Sequence, residues 1–179
     1  MLRISLESRL REILFQSGNI RAILDNAASL WMPDWYLVAG CVTQTVWNSL
    51  CGFAPDYGIS DYDLIYYDGD DLSEESQERH DQETKAHFKN ISHSIEAVNE
   101  ARVHLWLPKY LGHSMSQYKS SEDAIRSWAF PSSCAGVRYE NNIFSVYAPY
   151  GLEAMFNMTL RLTENSIFTK EMNETKIAK

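Results

Sequence analysis

The sequence predicts an α/β (α+β) protein in which helices pack on a small mixed β-sheet. Short apolar runs rich in β-branched and aromatic residues are typical of strands, and segments with helical spacing of apolar residues lie between them. Glycine and proline separate the two kinds of segment. The 179 residues are enough for one domain with a sizeable core. We therefore expect a single domain, 1–179, with N-terminal helices at about 5–30, a core at about 35–112 and a helix and hairpin region at about 113–179.

The chain begins with helices, which lead into a strand, a glycine and another helix. Apolar residues recur at helical spacing from about Leu6 to Leu30, and a break around Ser17-Gly18-Asn19 predicts two helices or one broken helix. The apolar run Trp35-Tyr36-Leu37-Val38-Ala39 is predicted to form a buried strand that ends at Gly40. Cys41 to Leu50 suits a helix lying directly on that strand.

The elements after this unit are separated by turn-forming residues. A loop rich in glycine, proline and aspartate precedes a strand that starts at Asp61, and Asn141-Asn142 favours a two-residue hairpin turn. The other elements expected are a polar helix from about Asp71 to Asn90, a strand at Ser92–Val98, a helix at Asn99–Leu111 ending at Gly112, a helix opened by a capping box at Ser120, hairpin strands near Cys134–Tyr139 and Ile143–Tyr147, and helices at Gly151–Met158 and Asn165–Lys179.

The amino-acid composition limits which partners the protein can bind and which cellular compartment it suits. A hydrophobic content of 45% with 5 Trp, 10 Tyr and 7 Phe argues against disorder, and a formal charge of −8 argues against unspecific binding to nucleic acid or anionic lipid. The three cysteines are odd in number and lack CxxC spacing, which fits a reducing cytoplasm. The N-terminus does not have the pattern of a signal peptide, and no stretch approaches the ~20 apolar residues that span a bilayer. We expect a cytoplasmic protein that binds neither membranes nor nucleic acid.

The strongest chemical signal is the pair Asp61 and Asp63 ahead of an apolar run. On extended backbone both side chains point to one face, roughly 6.5–7 Å apart along the strand. Mg²⁺ prefers carboxylate oxygens and usually keeps substrate phosphates and water as its other ligands. The pair therefore predicts phosphoryl chemistry with Mg²⁺, or with Mn²⁺ in its place. Two solvated loop carboxylates before a strand are the alternative interpretation of the same pair.

The order of the neighbouring features favours the metal interpretation. Gly40 and Cys41 stand at a helix N-terminus, where backbone N–H groups and the helix dipole can hold a phosphate. A further acid, Glu96, lies on a later predicted strand. A phosphate site and a pair of metal-binding carboxylates support each other, because a bound phosphate supplies the ligands that the metal still needs.

These residues occur in an order that resembles the nucleotidyltransferase superfamily, typified by DNA polymerase beta and the small bacterial nucleotidyltransferases. The sequence is most similar to an uncharacterised bacterial branch of nucleotidyltransferase-like proteins. The resemblance covers most of the chain from about residue 36 to 161 and implies the nucleotidyltransferase fold. It rests on four ordered blocks, Val38–Asn48, Ser60–Asp68, Asn99–Trp106 and Val146–Leu152.

The resemblance implies a role for each matching residue. Gly40 and Cys41 match a Gly-Ser or Gly-Gly pair that contacts the β- and γ-phosphates in the superfamily. Asp61 and Asp63 match its first two metal carboxylates. Glu96 matches the third, which lies near the attacking hydroxyl; it is one methylene longer than the usual aspartate, and a surface glutamate is its alternative interpretation.

Further phosphate contacts are expected around these positions. Because Cys41 replaces a hydroxyl donor, the contacts would come from backbone N–H groups, Thr43 or Gln44. Arg102 is a further candidate for phosphate binding, with an ordinary salt bridge as the alternative. The tryptophans are expected mostly in the core, although one of them could stack on a base.

The activity implied by the resemblance is nucleotidyl transfer. A nucleoside monophosphate would pass from a nucleoside triphosphate to an acceptor hydroxyl, with release of pyrophosphate. Two Mg²⁺ ions would bind Asp61 and Asp63, and Glu96 would complete the second metal site or act as base. The acceptor is expected to be a small molecule or a protein. The alternative is a catalytically inactive module on the same fold that binds nucleotide or a partner protein.

Overall fold

Residues 5–163 are described by the structure, which is a computed structural model. They form one five-stranded sheet from β1 (Tyr36–Val38), β2 (Asp61–Tyr66), β3 (Ser94–Asn99), β4 (Gly136–Glu140) and β5 (Ile143–Tyr147). The strands lie in the order β3-β2-β1-β4-β5, in which β2 and β3 are parallel and the other neighbours are antiparallel. The mixed sheet confirms the predicted fold class.

Helices precede, connect and follow the strands. Within residues 5–163 the α-helices are α1 (Leu6–Leu14), α2 (Gly18–Asn26), α3 (Ala39–Cys51), α4 (Glu74–His87), α5 (Val103–Trp106), α6 (Pro108–Leu111), α7 (Ser121–Arg126) and α8 (Glu153–Phe156). Short 3-10 helices at Ala27–Leu30 and Glu100–Arg102 extend two of the connections. The predicted cap of α7 is present, because the Ser120 hydroxyl accepts a hydrogen bond from the backbone N–H of Asp123 at 3.1 Å.

One face of the sheet carries the main hydrophobic core. Alternation along β2 points Tyr62, Leu64 and Tyr66 to this face, and all three are fully buried. They pack in one cluster with Leu37 of β1 and with apolar residues of α1, α2, α3 and α8. Burying each such side chain stabilises the fold by about 1.5–3 kcal/mol, so most of the stability comes from this face.

The opposite face of the sheet is covered over only part of its area. Tyr36, Val38 and Ile65 point to this face and pack with Ile125 of α7 and with Cys134 in a smaller cluster. The cover stops short of the first residues of β2 and β3, where the side chains of this face are polar. This half-covered face therefore holds the predicted carboxylates Asp61, Asp63 and Glu96.

The edge strand β3 is held by side chains of α4. Gln77 donates to the carbonyl of Ala97 and accepts from the N–H of Asn99, while Asp81 accepts from the N–H of Ala97. These bonds occupy backbone groups that an unpaired edge strand would leave free. The polar character of α4, predicted from its charges, thus also fixes the position of β3.

The segment after β3 differs from the single helix predicted at 99–111. Asn99 accepts the N–H of Ala101 and caps the short 3-10 turn that follows, and Pro108 begins α6 because proline lacks the N–H that a continuous helix needs. The predicted end is confirmed, because Gly112 has φ +75°. The result is a series of short helical turns that lies over the half-covered face; together with the segment around Tyr118 and Trp128 it is called the roof of this face.

The remaining differences are near the C-terminus. The segment predicted as a helix at Gly151–Met158 is helical only at Glu153–Phe156, and the helix predicted at Asn165–Lys179 lies outside the described residues. The hairpin turn is confirmed, with φ of 51° and 64° at Asn141 and Asn142. Among residues 5–163, no helix combines the length and the apolar character needed to cross a bilayer.

Candidate functional site

Strand pairing brings the three predicted carboxylates to one face of the sheet. Asp61 and Asp63 alternate along β2, and Glu96 of β3 pairs with Asp63 in the parallel register. Neighbouring strands lie about 4.8 Å apart, so Asp63 and Glu96 start from adjacent backbone positions. Asp61 and Glu96 are exposed and Asp63 is half-buried. Glu96 lies 33 positions after Asp63 in sequence, and only the sheet register brings it to the two aspartates.

The carboxylates are electrostatically unfavourable to one another. Burial first, and then the negative charges of Asp61 and Glu96, together raise the pKa of Asp63 to about 6. Ser60 donates a hydrogen bond to Oδ1 of Asp61 at 3.1 Å. Such a group of acids attracts cations.

The N-terminus of α3 lies beside these carboxylates because Val38, the last residue of β1, pairs with Asp63. Within residues 5–163, no side chain caps this helix. Its first N–H groups therefore remain available to an anion. The junction is tight: Ala39 has φ +60°, a left-handed conformation that costs a non-glycine residue about 1–2 kcal/mol. Gly40 follows, with open space where a Cβ would stand.

A small cavity of about 100 Å³ lies at this helix N-terminus. Gly40, Cys41 and Gln44 line it from α3, and Asp61 lines it from β2. The Cys41 thiol donates to the carbonyl of Val38 at 3.2 Å, and burial raises its pKa to about 12. The thiol therefore stays neutral and faces inward, which leaves the backbone N–H as the group of Cys41 that can meet a phosphate.

A larger cavity of about 250 Å³ begins on the other side of the carboxylate pair. Asp63 lines its edge, and apolar side chains line most of the remaining surface. Glu100 is the exception: it is only 6% exposed and has no hydrogen-bond partner for its carboxyl among residues 5–163. Burial, and secondarily the charge of Asp63, raises the pKa of Glu100 to about 8.

Two of the predicted phosphate contacts lie elsewhere. The Thr43 hydroxyl is buried and donates to the carbonyl of Ser132 at 2.9 Å, and Nε of Arg102 donates to the carbonyl of Leu72 at 3.0 Å. Neither residue lines either cavity. Thr43 points from α3 toward the segment before β4, and the 3-10 turn after β3 directs Arg102 to the loop after β2. Gln44 lines the small cavity and donates to Oδ1 of Asn48 at 2.9 Å.

A divalent cation on this face would have three carboxylates to bind. Within residues 5–163, no group of three or more His, Cys, Asp and Glu side chains is close enough together to hold a metal ion. Asp61, Asp63 and Glu96 thus share a face without forming a closed three-ligand cluster. Hard oxygen donors of this kind still suit Mg²⁺, which is commonly bound by one or two carboxylates together with substrate phosphates and water.

Sequence reasoning missed Glu100 as a site residue. A continuous helix was predicted from Asn99, and Glu100 was counted as part of that helix. The alternation Glu96, Val98, Glu100 instead continues along one face of the strand. Trp106 and Trp128 also line the larger cavity, although tryptophans were expected mostly in the core. Extending the predicted strand by one residue beyond Asn99 would have placed Glu100 on the same face as Glu96 and Val98.

Comparisons with known proteins agree with this geometry. A solved NMR structure described as a CCA-adding enzyme head domain superimposes with a TM-score of 0.75 and 28% sequence identity, over 94% of this chain and 86% of the other. The fold is therefore of the nucleotidyltransferase class. The chain belongs to a nucleotidyltransferase family, whose sequence model matches residues 25–179. A search of curated proteins gives no significant match.

Proposed function

We propose that the protein transfers a nucleoside monophosphate from a nucleoside triphosphate to an acceptor hydroxyl, with Mg²⁺ bound at Asp61, Asp63 and Glu96. One observation carries the proposal: three carboxylates share one face directly beside an uncapped helix N-terminus. The family and the CCA-adding relative support the reaction class. When bound, Mg²⁺ would neutralise charge on the triphosphate and lower the pKa of the acceptor hydroxyl.

The chain's own residues would position the triphosphate. The N–H groups at Gly40 and Cys41 and the dipole of α3 would hold the terminal phosphates in the small cavity. Among the described residues, no lysine or arginine lines either of the two cavities. A triphosphate would therefore contact helix N–H groups and carboxylates here, but no basic side chain. A bound cation is then needed to offset the repulsion between its phosphates and the carboxylates.

The reaction conserves its atoms and electrons without a further reactant. The acceptor oxygen attacks the α-phosphorus, a new O–P bond forms, and the bond from that phosphorus to its bridging oxygen breaks. Pyrophosphate leaves with the electron pair of the broken bond. In this proposal Glu96, which is exposed beside Asp63, would accept the proton of the acceptor hydroxyl. A formal charge of −8 favours a small molecule or a protein over a polyanion as the acceptor.

Asp63→Asn tests the proposal because it removes one charge and keeps the side-chain shape. We expect Mg²⁺-dependent binding of nucleoside triphosphates to weaken at least about 100-fold, the size of effect expected for the loss of a metal-binding carboxylate. Thermal shift with a panel of triphosphates, with and without Mg²⁺, measures this. Asp70→Asn, an exposed aspartate in the loop after β2, is the matched control. Unchanged triphosphate affinity in Asp63→Asn would sink the assignment.

An inactive nucleotide-binding module on the same fold is the second candidate. The observation that favours it is the inward-facing Cys41 thiol, which provides no hydroxyl to the phosphates. The two functions differ in turnover alone. Pyrophosphate release from bound triphosphate, assayed with hydroxyl-bearing small molecules and proteins, supports the transferase; Mg²⁺-dependent binding with no release for any acceptor supports the module.

A further inference from the structure

The larger cavity combines apolar walls with one buried acid. Ile65 and Val98 line it from the sheet, and Trp106, Tyr118 and Trp128 line it from the roof. Glu100 is more than nine-tenths buried and lines the same space without a hydrogen-bond partner among the described residues. Because the Glu100 carboxyl opens into a mostly apolar cavity, a ligand that offers it a hydrogen-bond donor there gains affinity.

The size and the aromatic lining of this cavity suit one flat ring system. Its volume of about 250 Å³ lies below the ~300–1,000 Å³ of sites that enclose a whole drug-sized ligand. Aromatic side chains on the wall favour a planar ligand, because stacking a base on an aromatic ring is worth about 1–3 kcal/mol. Tyr118 is held in place by a hydrogen bond between its hydroxyl and that of Ser127 at 2.6 Å.

The two cavities together match the two ends of a nucleotide. Gly40 and Asp61 line the small cavity, and their neighbours Ala39 and Asp63 line the larger one. A ligand with phosphates at the N-terminus of α3 would therefore extend its other end past Asp63 toward Glu100. This continuity favours the donor nucleotide over the acceptor as the occupant.

We propose that the larger cavity holds the base of the donor nucleotide and that Glu100 recognises the exocyclic amino group of that base. The inference rests on the proposed function for its ligand class. Adenine, cytosine and guanine carry an amino group beside a ring nitrogen, whereas uracil does not. A carboxyl meets N–H donors well, and a site built around such a bond discriminates strongly against an analogue that lacks it.

Adenosine and purine riboside form a matched pair of probes, since they differ only in the 6-amino group. Both are titrated in EDTA into the ¹⁵N-labelled full chain, and the indole N–H signals of Trp106 and Trp128 are followed after assignment with Trp→Phe variants. We expect both signals to shift and adenosine to bind about tenfold more tightly, the effect of one buried hydrogen bond. Equal affinities, or indole signals that do not respond to adenosine, would overturn the proposal.

Glu100→Met separates recognition from shape, because methionine keeps the unbranched length and removes the polar end. We expect the preference for adenosine to fall to within about twofold in this variant, and to persist in the control Glu78→Met at an exposed position of α4. A preference that survives Glu100→Met assigns the discrimination to another group. The nucleosides carry no phosphate and need no metal. Adenosine binding without Mg²⁺-dependent triphosphate binding would therefore contradict the proposed function alone. Mg²⁺-dependent triphosphate binding without adenosine binding would contradict this inference alone.

Discussion

The two faces of the sheet are built from neighbouring residues but serve different ends. Leu64 points into a continuous core beneath the helices, while Asp63, one position earlier, points to the half-covered face with Glu96. Polar and charged groups on the core face would be costly to bury. On the other face, like charges and a buried acid accumulate at the cavity edge. The core face therefore stabilises the fold, and this stability offsets the unfavourable charges that the other face holds at a ligand site.

The largest stability difference is expected between Leu64→Ala and Asp63→Asn on the same strand. Leu64 is fully buried, so its truncation should lower the free energy of unfolding by about 2–5 kcal/mol. Asp63→Asn should leave the free energy unchanged or raise it, because it removes a charge that burial disfavours and that Asp61 and Glu96 repel. Denaturant unfolding of both variants without Mg²⁺ measures the contrast. Equal destabilisation would mean that the half-covered face is also a structural core.

A smaller effect is expected from Glu100→Gln, and it depends on pH. The pKa of Glu100 is raised from 4.5 to about 8 in the folded chain, mainly by burial and secondarily by Asp63 on β2; Tyr118 is the other titratable group facing it. The folded state therefore binds the proton more tightly than the unfolded state between these values. The free energy of unfolding must fall as pH rises through this window.

Between pH 6 and pH 8, this linkage should lower the stability of the native sequence by about 2 kcal/mol relative to Glu100→Gln. Above pH 6 the corresponding loss from Asp63 is largely complete, and the histidines are common to both proteins. Urea unfolding at several pH values without Mg²⁺ gives the two curves. Parallel curves would show that the Glu100 carboxyl is solvated or paired in the folded chain.

Local patterns predicted most elements of the fold, whereas the site depends on pairings distant in sequence. The β1–Gly40–α3 unit and the Asn141-Asn142 turn follow from residues adjacent in the chain. The pairing of Asp63 with Glu96 follows from sheet register, which no local pattern encodes. Glu100 was not predicted because the strand ends at Asn99, whose side chain caps the following turn. The Asn99 side chain is held in that position by hydrogen bonds to Asp68 in the loop after β2.

The smallest effect compares two equivalent helix caps on the two faces. Ser5 caps α1 and Ser120 caps α7, each by accepting a backbone N–H at 3.1 Å. Ser5→Ala and Ser120→Ala should each lower the free energy of unfolding by about 1 kcal/mol. Ser120→Ala should also weaken triphosphate binding, because α7 carries Ile125 against Val38 and leads to Trp128 in the cavity wall. Ser5→Ala should leave binding unchanged, since α1 packs on the core face.

Hydrogen exchange and Mg²⁺-dependent triphosphate titration on the two cap variants measure the two effects separately. Faster exchange confined to 121–128, together with weaker binding, is expected for Ser120→Ala alone. If both variants lose affinity equally, binding responds to overall stability and the two faces are not functionally distinct. If neither loses affinity, α7 covers the sheet without shaping the cavity, and the roof over Glu100 must be positioned by the segment between β3 and α7 instead.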